Sequence, residues 1–276
     1  MRSRILSLLC VCLALLCGCG GQAAVAPSQP ALTQPPASGE LVVFAAASLT
    51  ESFTEIAQLF ESQHPGVKVT CNFAGSQALS AQLGEGAPAD VFASANTKEM
   101  TNAIAAKRVA DGSQKTFVRN KLVVIYPAGN PSGLAKLQDL TKPGLKLVLA
   151  AEEAPVGQYS LEFLDKASQD AAFGTTFKDD VLKNVVSYEE NVKAVLTKVV
   201  LGEGDAGIVY LTDISQANAG KVGRLDIPDA LNTVATYPIA AVSDASQPEL
   251  AQAFVQLVLS AQGQEILAKY GFLPAN

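Results

Sequence analysis

Apolar residues along this chain recur with two spacings, one typical of buried strands and one typical of amphipathic helices. Short, largely apolar runs at 41–45, 122–126 and 145–150 have the character of strands that are covered on both faces. In 49–63 and 192–200 the apolar residues recur every three or four positions, which predicts helices with one buried face. Repeated strand-helix-strand units predict parallel sheets with helices on both faces.

The alternation of predicted strands and helices continues to the C-terminus. We predict strands at 67–73, 89–93, 206–210 and 236–242, and helices at 76–83, 161–167 and 249–270, the last as one long helix or a helix pair. Pro238 interrupts the last strand. The total is long for one simple sheet, so we expect two α/β lobes with a ligand cleft between them. In open α/β sheets, ligands bind beyond the carboxyl ends of the strands.

The first residues do not belong to this pattern and indicate export. Arg2 and Arg4 precede an apolar run at 5–16, which is shorter than the roughly 20 residues that a membrane span needs. A basic start, a short apolar run and small residues after it are typical of a secretory signal, which we place at 1–18.

Four of the five cysteines lie in this region, and they predict a lipid anchor. The sequence at 16–19, Leu-Cys-Gly-Cys, resembles a bacterial lipobox, which favours cleavage before Cys19 and lipidation of its thiol. Lipidation at Cys17, or cleavage of a cysteine-rich signal elsewhere, stays open. A Pro- and Ala-rich stretch at 19–39 follows and predicts an extended tether. We therefore expect an extracytoplasmic protein, either lipid-anchored at the cell membrane or periplasmic.

The charge of the chain narrows the range of partners. A net charge of -6 with no basic stripe is unlike the electrostatic footprint of nucleic-acid binding, so we expect no nucleic-acid partner. An acidic protein that binds an anion must do so through local dipoles, because its overall field is unfavourable.

Two serines follow predicted strands at turns that lead into helices. Ser48 and Glu51 have the spacing of a capping box, in which the serine closes the first helical turn and the glutamate reaches back. The alternative is that the hydroxyl and the free amides of the turn face an anion. Ser76 repeats this arrangement after the strand at 67–73, and Gly75 allows close approach of the backbone to a ligand.

Three further candidates could donate hydrogen bonds to an anion. The backbone amide of Val156 would start the next helix, although an ordinary loop is the simpler interpretation. The amide of Val192 lies in the first turn of the helix at 192–200, which we expect to be uncapped, while its side chain packs inward. Tyr210 ends a strand and could donate through its hydroxyl, although such a tyrosine is more often a core residue.

Other chemistries fit the sequence less well. The G-x-G-x-x-G pattern at 202–207 follows a helix and precedes a strand, the reverse of a dinucleotide-binding turn. A secreted serine hydrolase that uses Ser48 or Ser76 would need His64, the single histidine, as its base, and no G-x-S-x-G elbow is present. Cys71 is predicted to be a buried apolar residue.

Four segments, taken together with their order and spacing, carry a family resemblance. They are Phe-Ala-Ala-Ala-Ser-Leu at 44–49, Gly-Ala-Pro-Ala-Asp-Val-Phe at 86–92, Gly-Ile-Val-Tyr at 207–210 and Lys-Tyr-Gly-Phe at 269–272. They resemble the periplasmic molybdate-binding proteins of ABC transporters, and the resemblance covers residues 40–276.

The resemblance implies a two-lobed type II periplasmic-binding-protein fold, with mixed, mainly parallel sheets and helices on both faces. It implies one lobe from 40–121 plus 238–276 and the other from 122–237. It also implies a binding protein rather than an enzyme, without a cofactor, acting as a monomer with an ABC permease as its partner.

The resemblance further implies which residues grip the ligand, molybdate or tungstate. The donors would be the hydroxyls and amides of Ser48 and Ser76, the amides of Val156 and Val192, and the hydroxyl of Tyr210. Molybdenum would be bound as the oxyanion and not as a free cation. Val156, where the family often has alanine, and Gln77, where a small polar residue is common, depart from the pattern. Another oxyanion, such as sulfate or thiosulfate, is the alternative ligand.

Overall fold

The computed structural model describes residues 39–214 and 218–275. The predicted signal at 1–18, Cys19 and the tether as far as residue 38 lie outside the described residues. Within the described part of the chain, the helices are all too short or too polar to cross a membrane.

Eleven strands in the described residues form two sheets. The strands are β1 (Gly39–Ala46), β2 (Val67–Ala74), β3 (Val91–Ala93), β4 (Lys115–Asn120), β5 (Leu122–Pro127), β6 (Leu147–Ala150), β7 (Val185–Glu189), β8 (Ala206–Tyr210), β9 (Val222–Asp226), β10 (Ala235–Ala241) and β11 (Leu273–Pro274). The first sheet has the order β11-β4-β10-β3-β1-β2 and the second has the order β7-β6-β8-β5-β9.

Eight α-helices and three short 3-10 helices connect these strands. The α-helices are α1 (Thr50–Gln63), α2 (Ser76–Gly84), α3 (Thr97–Ala105), α4 (Pro155–Gln169), α5 (Phe177–Leu182), α6 (Val192–Val200), α7 (Pro248–Leu259) and α8 (Ala261–Lys269). The 3-10 helices are Ala47–Leu49, Leu137–Thr141 and Leu211–Asp213.

Helices cover both faces of the first sheet, as the apolar run of β1 predicts. Successive side chains of a strand point to opposite faces. Leu41 and Val43 accordingly join one apolar cluster, which includes Phe53 of α1. Phe44 joins a second cluster, which includes Leu79 of α2. The strand is therefore buried on both sides, and its carboxyl end is held rigidly.

The G-x-G-x-x-G pattern is explained by packing in the second sheet. Gly202 has a φ of 75° and follows the end of α6, a conformation that favours glycine. A Cβ atom on Gly207 would lie 2.8 Å from Cγ1 of Val195, so this glycine lets α6 lie directly on β8. Both glycines therefore fix the position of α6 against the sheet.

The mixed sheets confirm the predicted fold class, but the prediction of mainly parallel pairing is wrong. Four strand pairs are parallel and five are antiparallel among the described residues. Every antiparallel pair includes β4, β5 or β10, the strands at the two crossings between the sheets. Two parallel neighbours that follow one another must be joined by a crossover connection that returns to the same sheet. A strand that arrives from the other sheet has no such connection to its neighbours.

Most predicted elements are present, with shifted boundaries. The predicted helix at 161–167 begins six residues earlier, because Pro155 occupies the first turn, where its missing N–H costs nothing. The C-terminal helical region is a pair, α7 and α8, separated at Ser260, whose hydroxyl accepts a hydrogen bond from the Gly263 amide. The sequence patterns did not predict α3, β4, α5, β7, β9 and β11. The lobe limits at 121/122 and 237/238 stay a prediction.

Candidate functional site

One small pocket lies at the carboxyl ends of β1, β2, β6, β7 and β8. All five predicted donors line it: Ser48, Ser76, Val156, Val192 and Tyr210. The other lining residues are alanines, a glycine, a proline and an asparagine. The pocket leaves about 20 Å³ of free space, far below the roughly 300–1,000 Å³ of sites for drug-sized molecules. Its size is therefore suited to a small ion.

Ser48 reaches the pocket from a 3-10 turn that continues β1, and it does not cap α1. The residue before α1 is Leu49, and no side-chain cap is present. Glu51 forms an ion pair with Lys193 instead of reaching back. The capping-box prediction is therefore wrong, because the tight 3-10 turn places Ser48 one residue too early. Its Oγ lies 2.9 Å from the hydroxyl of Tyr237.

Ser76 begins α2, and its hydroxyl is oriented by a backbone donor behind it. The amide of Ala95 donates to Ser76 Oγ at 3.0 Å. A hydroxyl oxygen that already accepts a hydrogen bond has its proton available for a further partner. A Cβ atom on Gly75 would lie 2.7 Å from the carbonyl oxygen of Glu190, so glycine is needed where the two sides of the pocket meet.

The first turn of α4 presents the Val156 amide. Pro155 has no N–H, and the amide of Gln158 already donates to the Ala154 carbonyl at 3.0 Å. Val156 and Gly157 therefore carry the free amides of this turn. A Cβ atom on Gly157 would lie 1.9 Å from the carbonyl oxygen of Ala151, so this glycine allows the helix to start directly against the end of β6.

The first turn of α6 is capped, contrary to our expectation. The Asn191 side chain accepts hydrogen bonds from the amides of Lys193 and Ala194, at 3.0 Å and 3.1 Å. This arrangement satisfies the second and third amides of the helix and leaves that of Val192 free toward the pocket. The cap thus leaves the Val192 amide free to face the pocket.

Tyr210 carries the most unusual polar group of the pocket. The residue is 1% exposed, and its hydroxyl meets hydrogen-bond geometry with none of the described residues. Burial raises the pKa of this hydroxyl well above its usual range, and the neighbouring Tyr237 hydroxyl contributes to the shift, so the Tyr210 hydroxyl stays a neutral donor at physiological pH. Leaving a buried hydroxyl without a partner costs roughly 1–3 kcal/mol, which a ligand oxygen would recover.

No charged side chain among the described residues lines the pocket, but a partly buried charge cluster lies beside it. Nζ of Lys193 lies 2.9 Å from Oε2 of Glu51 and 3.1 Å from Oδ1 of Asp213. Burial lowers the pKa of Lys193, but the two carboxylates outweigh burial and the net shift is upward. Burial raises the pKa of Asp213, although Lys193 opposes this shift. The positive charge of Lys193 is therefore balanced by the carboxylates of Glu51 and Asp213.

Two buried polar residues near the pocket, Asn120 and Tyr237, were not predicted from the sequence. Tyr237 is fully buried beside Ser48, and the Asn120 side chain donates to Thr212 Oγ1 at 2.8 Å and to the Tyr237 hydroxyl at 3.4 Å. The one available signal was Pro238, because a proline in a central strand indicates a bulge. The register of β10 shifts at Tyr237/Pro238, and such shifts re-aim side chains.

The histidine that a hydrolase would need lies outside the pocket. His64 ends α1, its ring stacks on Phe60 with centroids 4.0 Å apart, and its Nδ1 lies 2.9 Å from the Phe60 carbonyl oxygen. It is not among the residues that line the pocket with Ser48 and Ser76. Within the described residues, no three His, Cys, Asp or Glu side chains are grouped to hold a metal ion.

This chain is similar in sequence to known binding proteins. Residues 41–273 match the family described as bacterial extracellular solute-binding proteins. The molybdate-binding protein ModA of Mycobacterium tuberculosis is 40% identical over 232 residues, which cover 84% of each chain.

Solved structures resemble the fold at lower sequence identity. The periplasmic molybdate-binding protein of Azotobacter vinelandii is 20% identical with a TM-score of 0.72, covering 84% of this chain and 98% of that one. The sulfate-binding protein SubI of M. tuberculosis is 21% identical with a TM-score of 0.75, covering 86% and 87%. The family match spans nearly all the described residues, and the chain therefore belongs to the bacterial extracellular solute-binding proteins.

Proposed function

We propose that this protein captures molybdate, and also tungstate, outside the cell and delivers it to the permease of an ABC importer. The ligand would lie in the pocket between the two sheets. Ser48 and Ser76 would donate through hydroxyl and amide, Val156 and Val192 through their amides, and Tyr210 through its hydroxyl. The 40% identity to a molybdate-binding protein supports this choice of ligand.

The buried, unpaired hydroxyl of Tyr210 is the observation that carries the proposal. A hydroxyl in that position is costly unless something accepts its proton. The pocket that it faces contains other free donors and no carboxylate. A small group with several acceptor oxygens and no proton of its own complements this set of donors.

The energetics favour a dianion that is fully deprotonated. Hydrogen bonds to charged groups contribute roughly 1.5–3 kcal/mol each, so about seven of them offset a large desolvation cost. The helix N-termini add a favourable dipole without any lysine or arginine in the pocket. Hydrogen phosphate carries a proton, and no carboxylate lines the pocket to accept it.

The proposal includes the predicted cell biology and domain organisation. The signal at 1–18 would be removed, Cys19 would carry the lipid, and residues 19–39 would span from the membrane to the folded part. The folded part would act as two lobes, 40–121 plus 238–276 and 122–237, that close on the ligand. It would work as a monomer.

Calorimetry on the purified chain, from residue 20 onward, tests the ligand directly. Molybdate, tungstate, sulfate, thiosulfate and phosphate are titrated separately at pH 7. We expect tight binding of the first two and at least about 100-fold weaker binding of phosphate, which corresponds to roughly 2.7 kcal/mol. Absence of binding to molybdate and tungstate would refute the proposal. Tighter binding of sulfate or thiosulfate would replace it with the alternative ligand.

A further inference from the structure

A chain of buried hydrogen bonds reaches Ser48 from the side opposite the pocket. It runs from the amide of Lys121 to the Asn120 side chain, then to the Tyr237 hydroxyl, and then to Ser48 Oγ. The distances are 2.9 Å, 3.4 Å and 2.9 Å in that order. Asn120 and Tyr237 are 1% and 0% exposed, so water does not compete with these bonds.

The donor-to-acceptor direction of this series of hydrogen bonds is set at the Lys121 amide. A backbone amide can only donate, so the Lys121 amide requires the carbonyl oxygen of the Asn120 side chain to face it. The Asn120 amide nitrogen then faces the opposite way, toward Thr212 Oγ1 and the Tyr237 hydroxyl. This nitrogen carries two protons and cannot accept. The orientation of Asn120 therefore follows from its bonds.

The proton of Tyr237 has one acceptor among its bonded neighbours. The Asn120 nitrogen cannot accept it, and the Tyr210 hydroxyl makes no hydrogen bond with it. Ser48 Oγ, at 2.9 Å, can accept it. Once Ser48 Oγ accepts from Tyr237, the proton of Ser48 is free to point into the pocket. Ser76 reaches the same state by accepting from the Ala95 amide.

We propose that Tyr237, oriented by Asn120, is a positioning residue that makes Ser48 a hydrogen-bond donor toward the ligand. This inference rests on the proposed capture of an oxyanion dianion. Tyr237 does not line the pocket and acts through Ser48. The relay makes the pocket select against anions that carry a proton, because Ser48 directs its own proton, and not a lone pair, toward the ligand.

A double-mutant cycle on binding tests the relay. Affinities for molybdate and for phosphate are measured by calorimetry in wild type, Tyr237→Phe, Ser48→Ala and the double variant. The Phe side chain keeps the ring packing against Phe117 and Phe272. We expect Tyr237→Phe to weaken molybdate binding about 5- to 20-fold in wild type and less than about twofold in the Ser48→Ala background.

Selectivity gives a readout that a purely structural role would not change. Without the Tyr237 proton, Ser48 can accept a hydrogen bond from hydrogen phosphate. Molybdate affinity should then fall while phosphate affinity rises, so the ratio of the two affinities should fall about tenfold more than molybdate affinity itself does. Tyr126→Phe on β5 is the matched control and should change neither affinity. An equal loss in both backgrounds, or an unchanged anion ratio, would overturn the inference.

Asn120→Asp provides a second route if Tyr237→Phe does not fold. It keeps the acceptor for the Lys121 amide and replaces the donor to Tyr237 with an acceptor, which should draw the Tyr237 proton away from Ser48. Its added charge weakens anion binding in the Ser48→Ala background as well, so the cycle cancels that contribution. Additive losses would contradict the relay. Wild-type protein that binds none of the anions would instead refute the proposed function, on which the relay rests.

Discussion

At the scale of single residues, the candidate site contains donors that have no partner among the described residues. Ser76 and Val192 are left free because neighbouring groups fill the other positions: the Ala95 amide binds Ser76 Oγ, and Asn191 binds the next two amides of α6. Tyr210 is left free by burial without a partner. Preorganised donors lose little entropy when a ligand arrives, which favours tight binding.

Tyr210→Phe should weaken molybdate binding about 10- to 100-fold, because it removes one hydrogen bond to a charged ligand. The ligand-free protein should be no less stable, since the hydroxyl makes no hydrogen bond there. Calorimetry gives the affinity, and thermal unfolding without ligand gives the stability.

The matched control for this substitution is Tyr270→Phe. The Tyr270 hydroxyl donates to Glu55 at 2.8 Å, and the residue lies outside the pocket. Its loss should leave affinity unchanged. A Tyr210→Phe variant with wild-type affinity would remove Tyr210 from the proposed donor set.

At the scale of secondary-structure elements, the pocket is formed by the N-terminal turns of helices at the carboxyl ends of strands. The starts of α2, α4 and α6 contribute one predicted donor residue each, and the 3-10 turn after β1 contributes Ser48. Glycines at 75 and 157 occupy positions where a Cβ atom would collide with neighbouring backbone. The helix starts are therefore positioned by close backbone contact with the ends of other elements.

Asn191→Ala should lower stability and affinity together, because Asn191 caps α6 and thereby fixes the Val192 amide. Loss of an Asn cap costs about 1 kcal/mol, which lowers Tm by roughly 2–4 °C in a chain of this size. We expect molybdate affinity to fall about 3- to 10-fold in addition. Calorimetry and thermal unfolding of the same preparation measure the two effects.

Ser260→Ala is the control for this cap. Ser260 caps α8, which lies outside the pocket. Its loss should cost similar stability with no change in affinity. Equal affinity losses in the two variants would show that the effect of Asn191 is global rather than local.

At the scale of the whole molecule, two polar contacts join elements of the first sheet to elements of the second beside the pocket. Lys193 of α6 pairs with Glu51 of α1 at 2.9 Å. The Gln77 side chain of α2 donates to the Glu190 carbonyl oxygen at 2.8 Å. Gln77 thus has a definite structural role. We expect contacts of this kind to slow the release of a bound ligand.

Glu51→Gln should speed ligand release about 3- to 10-fold with little change in the association rate, because it weakens an ion pair across the pocket and leaves Lys193 paired with Asp213. Displacement of bound radiolabelled molybdate by excess unlabelled molybdate, followed by rapid filtration over time, measures the release rate.

Asp165→Asn removes a comparable ion pair, with Lys178, on elements of the second sheet alone. This control should leave the release rate unchanged. If Glu51→Gln also released ligand at the wild-type rate, the ion pair across the pocket would have no role in retention.

Alkaline pH should destabilise the folded chain. Burial, followed by the nearby Glu162 carboxylate, raises the pKa of Tyr159 to about 12. The pKa values of Tyr210 and Lys193 are also raised. Groups that hold protons more tightly when folded favour folding less as pH rises above their unfolded pKa values.

The midpoint of urea unfolding should therefore fall steadily from about pH 10 to pH 12. Tyr159→Phe should reduce this slope, because one contributing group is removed. A midpoint that is flat across this range would contradict the assigned shifts.

The sequence by itself determined the strand-helix alternation, the fold class and the location of the candidate site. These features are local: apolar spacing marks strands such as β1 and helices such as α6, and small residues with Ser mark their junctions. The short, half-exposed strand β7 was missed, because its pattern of alternating exposure includes the exposed Val186 and Tyr188. Strand direction at the crossings was also missed, because pairing depends on the path of the chain.

Only the tertiary structure decided how each donor is oriented. Ser48 and Tyr237 are 189 residues apart in sequence and 2.9 Å apart in space, and a local capping signal gave the wrong role for Ser48. The same holds for Ser76 with Ala95, and for the partners of Lys193. Local patterns specify which residues end a strand, whereas hydrogen-bond direction depends on neighbours that the fold brings from distant parts of the chain.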